Sequence, residues 1–254
     1  MSKVMQGFPP AEADCASLAN WRKAPFSRWA FHHVREFIPS AEIQNDPTDV
    51  WEIESSHIDV SSLGLSDAMV ETDCDAMVVM HKDKLVHESY RNGMTAHDPH
   101  ILMSVSKSLL GLVAGTLVER GELAESELVT KYVPELANSA YAGATIRDLL
   151  DMRAGVLFDE DYLATDGPIV DYRLAANWNP VPKDREAGDL RSFMSVLTKA
   201  DGLHGSRFHY VSPNTGLLAW AFERATGIRY ADLVAERLWK PLGAEAPGYI
   251  TVDR

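Results

Sequence analysis

The stretch from Leu102 to Arg120 constrains this chain more than any other. It reads as one apolar helix, carried by Leu109, Leu110, Leu112, Val113, Leu117 and Val118, and it stops at Gly121, which suits the left-handed position just past a helix end. Such a helix needs a core around it. Its opening, Leu102-Met103-Ser104-Val105-Ser106-Lys107-Ser108, sets a serine hydroxyl and a lysine amine three residues apart, on one helix face. A serine attacks poorly until a base takes its proton, and a lysine in partly apolar surroundings can lose its charge and accept one. Arginine would stay charged there. The S-x-x-K spacing is a signature of serine acyl-transfer chemistry. Ordinary residue usage supplies that spacing about once in a chain of this length, so its surroundings must decide between a nucleophile and a surface lysine near a helix start.

The rest of the chain falls into pieces. Ala76-Met77-Val78-Val79-Met80, the polar turn His81-Lys82-Asp83-Lys84 and Leu85-Val86-His87-Glu88-Ser89-Tyr90 read as a β-hairpin over about 76–91, closed by Arg91-Asn92-Gly93. Residues 1–20 are expected to be poorly ordered. Trp21 to Ile43 is rich in aromatics (Trp21, Phe26, Trp29, Phe31, Phe37) and should wrap onto the body, while 44–75 supports no assignment. Thr145 can cap a short helix with Ile146, Leu149 and Leu150 inward. Residues 156–190 read as a long loop, and helices are expected over about Leu190–Lys199, Thr215–Thr226 before Gly227, and Tyr230–Trp239.

The 254 residues could form one large domain or two small ones, and 46% hydrophobic with 24% charged residues is ordinary for a globular protein. A net charge of −13 argues against nucleic-acid or anionic-membrane partners. The first residues carry no secretory apolar region, and Leu109–Val118 is too short and glycine-interrupted to span a membrane. Cys15 and Cys74 form no metal or redox motif and suit a reduced, cytoplasmic setting. The nine histidines include no H-E-x-x-H, and His97-Asp98-Pro99-His100 lies in an expected turn, so neither metal nor cofactor is expected.

The order of these pieces carries a resemblance. A hairpin, an S-x-x-K helix, Thr145-Ile146-Arg147-Asp148-Leu149-Leu150, a tyrosine motif at Tyr210, and Thr226-Gly227 leading through Tyr230-Ala231-Asp232 to Pro241-Leu242-Gly243 together resemble the serine β-lactamase and penicillin-binding-protein superfamily, in its class C and family VIII esterase branch. Arg28-Trp29-Ala30-Phe31, Tyr132-Val133-Pro134-Glu135-Leu136-Ala137, Glu160-Asp161-Tyr162 and Ile250-Thr251-Val252-Asp253 are similar to the 6-aminohexanoate-dimer hydrolases, which act on nylon oligomers.

The resemblance implies an α+β, transpeptidase-like fold. Its antiparallel-sheet domain would begin within 21–100, its helical domain would occupy 101–245, and 246–254 would start the remaining sheet. A companion segment or chain would supply the rest. It further implies that Ser104 is acylated, that Lys107 holds or accepts its proton, and that Tyr210 shuttles the proton to the leaving group. A phenol, with an unperturbed pKa near 10, needs an adjacent cation to act as a base at neutral pH. The Ser104 N–H, at a helix N-terminus, suits one oxyanion donor. Tyr162 would close over a small amide or ester substrate. The tyrosine motif departs from the common Y-S-N, so Ser212 stands where an asparagine is usual and becomes a candidate substrate hydrogen-bonding group. Arg173 falls where the nylon-oligomer enzymes use an aspartate to grip an ammonium, with Asp171 two residues earlier. An arginine would repel that ammonium, which makes a short ester or another amide as suitable a substrate as linear nylon dimer. The competing readings are a D-alanyl-D-alanine carboxypeptidase or β-lactamase, and a catalytically silent binding protein of the same fold.

Overall fold

The computed structural model describes residues 3–186 and 188–254; Met1, Ser2 and Ala187, which fall within the stretches read as disordered and as loop, lie outside it. The first half carries helix α1 (Ser27–Ala30), strand β1 (Ser40–Ile43), α2 (Leu65–Glu71), β2 (Ala76–His81), β3 (Lys84–Tyr90) and α3 (Ser106–Glu119). After these come α4 (Val129–Tyr132), α5 (Ile146–Leu150), α6 (Pro168–Ala175), α7 (Leu190–Val196), α8 (Pro213–Thr226), α9 (Tyr230–Val234) and β4 (Gly248–Thr251).

The chain divides into two compact units. The first holds the residues up to Phe37, Asp46–Ile101 and Gly243–Ala246. Its β2 and β3 form the expected antiparallel hairpin, tighter than a four-residue turn. Only Lys82 and Asp83 turn the chain, both at positive φ (50° and 60°), the backbone that matches strand twist in a two-residue turn. Residues 3–20, expected to be poorly ordered, instead form hydrogen-bonded turns: the Met5 N–H donates to the Asp14 C=O, and Val4 is buried. Trp21 gives the physical reason. It is fully buried and packs edge-on against Phe31 and obliquely against Phe37, which draws the preceding segment onto the unit.

The second unit holds Ile38–Asn45, Leu102–Leu242 and Pro247–Arg254. Its centre is α8, where Leu217, Leu218, Trp220, Ala221 and Phe222 are all buried among α3, α4, α5, α7 and α9. The α3 helix turns inward the set Leu110, Val113, Ala114 and Leu117, the spacing of one helix face. At Gly121 φ is +71°, the left-handed stop expected there. β1, which the sequence left unread, pairs antiparallel with β4, Ser40 opposite Thr251 and Ile43 opposite Gly248. Residues 156–190 are not all loop. Gly167 and Pro168 start α6, and Ile169, Arg173, Leu174 and Ala175 form its buried side. The last helix is shorter than expected, because its Ala235–Trp239 turn widens to π geometry.

α5 is fixed at its start by a reciprocal cap. Thr145 Oγ1 accepts from the Asp148 N–H, and Asp148 accepts from the Thr145 N–H. Replacing Thr145 by Ala should lower unfolding stability by about 1 kcal/mol, read as a lower urea midpoint at unchanged slope.

Candidate active site

Ser104 stands in a 3-10 turn, Met103–Val105, that runs directly into α3. Met103 enters it at φ +47°, a conformation that a side chain of this size rarely adopts. The first N–H groups of a helical run have no intrahelical acceptor. The Ser104 N–H is among them, as an oxyanion donor must be. Lys107, one turn on, donates from Nζ to Ser104 Oγ at 3.1 Å.

Tyr210 comes from elsewhere in the unit, and the fold delivers it by a seam of backbone hydrogen bonds. The segment 152–157 runs beside 199–209. Leu157 N–H donates to Lys199 C=O, Asp201 N–H to Gly155 C=O, Gly205 N–H to Arg153 C=O, and His209 N–H to Met152 C=O, at 2.7–2.9 Å. His204 pins the seam a second time. It accepts from the Gly155 N–H at Nδ1, so Nε2 carries the proton given to the Ala142 C=O. Asn214, fully buried, accepts from the Tyr141 hydroxyl and reaches the Met152 sulfur, locking the start of α8.

At the end of that seam the Tyr210 hydroxyl lies 2.8 Å from Ser104 Oγ, and Lys107 Nζ lies 5.2 Å from the Tyr210 ring centre. The three residues expected to act together therefore meet around one oxygen. Burial pushes the Tyr210 phenol up. Hydrogen bonds with Ser104 and Lys107, and the Lys107 charge, outweigh this and hold it below its ordinary value, although the Glu160 carboxylate opposes them.

Glu160 is the residue that sequence reasoning passed over, beyond noting its place beside Tyr162. Its carboxylate accepts from the Ser212 N–H (2.6 Å), the Ser212 hydroxyl (2.8 Å) and the Tyr162 hydroxyl (3.0 Å). Ser212 is buried with its hydroxyl given to Glu160, so the structure ties it to the loop. Tyr162 is exposed overall, but partial desolvation of its phenol, followed by the Glu160 hydrogen bond, raises its pKa to about 12, so it keeps its proton and gives it to Glu160. Arg173 is buried. Its guanidinium donates to the Tyr162 C=O at 3.2 Å and lies 5.9 Å from the Tyr162 ring centre, while Asp171 pairs with Arg185 on the surface. Arg173 thus anchors the Tyr162 loop.

A serine joined to a phenol and an ammonium, beside a loop tyrosine held by a carboxylate, is the equipment of an acyl-transfer site. The chain belongs to the Beta-lactamase family, whose profile matches residues 66–253. It is 36% identical over 250 residues to the 6-aminohexanoate-dimer hydrolase of Paenarthrobacter ureafaciens, covering 97% of this chain and 63% of that protein. Among solved structures it is similar to "Putative 6-aminohexanoate-dimer hydrolase from Bacillus anthracis" (TM-score 0.86, 26% identity, 96% of this chain and 66% of that one). FmtA from Staphylococcus aureus shares the fold at TM-score 0.52 and 15% identity, over 77% of this chain and 53% of its own. The chain thus spans less than two thirds of the length of either hydrolase-named relative. The fold is β-lactamase-like and mixed α+β, as the resemblance implied. Among the described residues no helix is long and apolar enough to cross a membrane.

Two outcomes follow from the geometry. With Lys107→Met the ascending limb of the rate–pH profile should move to higher pH, because the Tyr210 phenol loses the cation that lowers it. At neutral pH the rate should fall at least about a hundredfold; an unmoved limb would separate Lys107 from Tyr210. A Cβ at Gly155 would collide with the Gly202 C=O in the seam. Gly155→Ala should therefore cost about 1–3 kcal/mol of stability, measured by urea unfolding.

Proposed function

We propose that this protein is a serine hydrolase that cleaves small amides or esters through an acyl-enzyme on Ser104. The observation that carries the reading is the convergence of the Tyr210 hydroxyl (2.8 Å) and Lys107 Nζ (3.1 Å) on Ser104 Oγ. In this reading Tyr210, as phenolate, removes the Ser104 proton while Oγ attacks the substrate carbonyl. The oxyanion forms against the Ser104 N–H. Tyr210 then returns the proton to the leaving amine or alcohol, and water admitted to the same base hydrolyses the ester bond to Ser104. Lys107, through its hydrogen bond and its charge, favours the basic form of Tyr210.

Tyr162 gives its one hydroxyl proton to Glu160, which leaves its oxygen lone pairs to accept from a substrate amide N–H. The 36% identity to a 6-aminohexanoate-dimer hydrolase supports amide cleavage. Against a linear substrate ending in an ammonium stands Arg173, whose cation lies beneath the Tyr162 ring. Uncharged acyl groups are therefore the better candidates.

The test is hydrolysis of p-nitrophenyl acetate and butyrate, with mass spectrometry of the protein during turnover. Wild type should carry an acyl adduct on the peptide containing Ser104. Ser104→Ala should carry none and should lose activity by at least about a thousandfold. Equal rates in the two proteins would remove Ser104 from the mechanism.

A further inference from the structure

His32, Asp75 and His100 come from three separate stretches of the first unit: the turn after α1, the residue before β2, and the segment beyond the hairpin. One ligand atom from each lies within 4.8 Å of the other two. Asp75 Oδ2 is 3.2 Å from His32 Nε2 and 3.3 Å from His100 Nε2. The side chains of His32 and Asp75 are 5% and 7% exposed, while that of His100 is 32% exposed.

The protons in this cluster do not balance without a cation. His100 Nδ1 lies 2.8 Å from the Ile101 C=O, which can only accept, so Nδ1 carries the proton. In a neutral imidazole Nε2 is then a lone pair. It faces Asp75 Oδ2, which also offers lone pairs. Asp75 has no other edge to present, because Oδ1 is taken by the Arg28 guanidinium at 3.3 Å and by the Asn92 amide.

Either a second proton on His100 or a metal ion between the three groups would resolve the conflict. The distances have room for the ion. A tetrahedral centre with bonds of about 2.0–2.1 Å separates its ligand atoms by about 3.3 Å, close to both values observed. A charge-assisted N–H to carboxylate bond would close to about 2.7–2.9 Å. The outer groups of a metal site are also in place. Nδ1 of His100 is fixed by a carbonyl, and the second carboxylate oxygen is fixed by Arg28 and Asn92.

We propose that His32 Nε2, Asp75 Oδ2 and His100 Nε2 bind one divalent transition-metal cation, Zn2+ by this donor set, with water as fourth ligand on the exposed side of His100. The ion would join the aromatic N-terminal segment to the strand pair within the first unit, in a structural role. It uses only His100 of the His97-Asp98-Pro99-His100 run, since the Asp98 carboxylate is taken by the N–H and hydroxyl of Thr95.

The test uses the full chain, stripped with a chelator, supplied with Zn2+, desalted, and assayed for metal and for thermal unfolding. Wild type should retain one Zn2+ per chain and unfold at a higher temperature than when stripped. His100→Gln, at the partly exposed ligand, should lose both effects. Wild type that retains no Zn2+, or His100→Gln that still retains one, overturns the site. A cobalt-loaded wild type gives a check that needs no variant. Visible bands of nitrogen and oxygen ligation support the site, and a sulfur-to-cobalt charge-transfer band, marking Cys15 or Cys74 as ligand, overturns it.

Discussion

The seam between residues 152–157 and 199–209 is the constraint on which the site depends. Ser104 and Lys107 meet through one helical turn. Tyr210 is 106 residues away from Ser104 in the chain, and a hydrogen bond across that span survives only if the backbone around the tyrosine is already held. Each seam bond is worth about 1 kcal/mol net, but their chief effect is positional. Bonds from Leu157 to Lys199 through to His209 and Met152 fix the direction in which the chain enters Tyr210. The Asn214 contacts with Tyr141 and Met152 fix the direction in which it leaves. Gly155 is required where the two segments come closest, because the Gly202 carbonyl occupies the space of a side chain.

The electrostatics of the site are a contest over Tyr210. Lys107 favours the phenolate, and Glu160 disfavours it. Were Glu160 free to approach, less of Tyr210 would be phenolate. Its oxygens are instead occupied by the Ser212 N–H, the Ser212 hydroxyl and the Tyr162 hydroxyl. The same carboxylate thus lowers the share of Tyr210 present as phenolate while keeping Tyr162 protonated and directed. Burial raises both phenols, and the charge each touches then separates them: the ammonium beside Tyr210 pulls its pKa down, and the carboxylate beside Tyr162 pushes its pKa further up.

Local signals were readable from sequence, and contacts between distant segments were not. The Ser104 and Lys107 pair, the Thr145 cap and the Gly121 and Gly227 stops each depend on residues within one turn of one another, and the hairpin on two adjacent runs, so spacing exposes them. β1 was invisible because Ser40-Ala41-Glu42-Ile43 has no strong strand pattern and exists through its partner Gly248–Thr251. α6 was hidden because its buried side includes Arg173, a residue that reads as surface until its guanidinium is seen on the Tyr162 loop. Glu160 was quoted as part of a matching segment yet given no task, since nothing in a sequence says that Ser212 will come to lie against it.

Ser212 shows how one departure from a familiar pattern can be misread by position alone. Standing where an asparagine is usual, it invites a role toward substrate. Its backbone N–H and hydroxyl both turn to one carboxylate, and that carboxylate holds Tyr162. A serine at the start of α8 can do this because its short side chain lets one carboxylate take the N–H and the hydroxyl together. An asparagine there would present a longer amide with its own donors, and Glu160 would have to sit farther out, taking Tyr162 with it. The serine therefore fits an arrangement in which the start of α8 is tied to the 160–162 loop through one carboxylate. The Arg173 anchor belongs to the same arrangement, since a side chain carried on a loop keeps its direction only while the loop backbone is held.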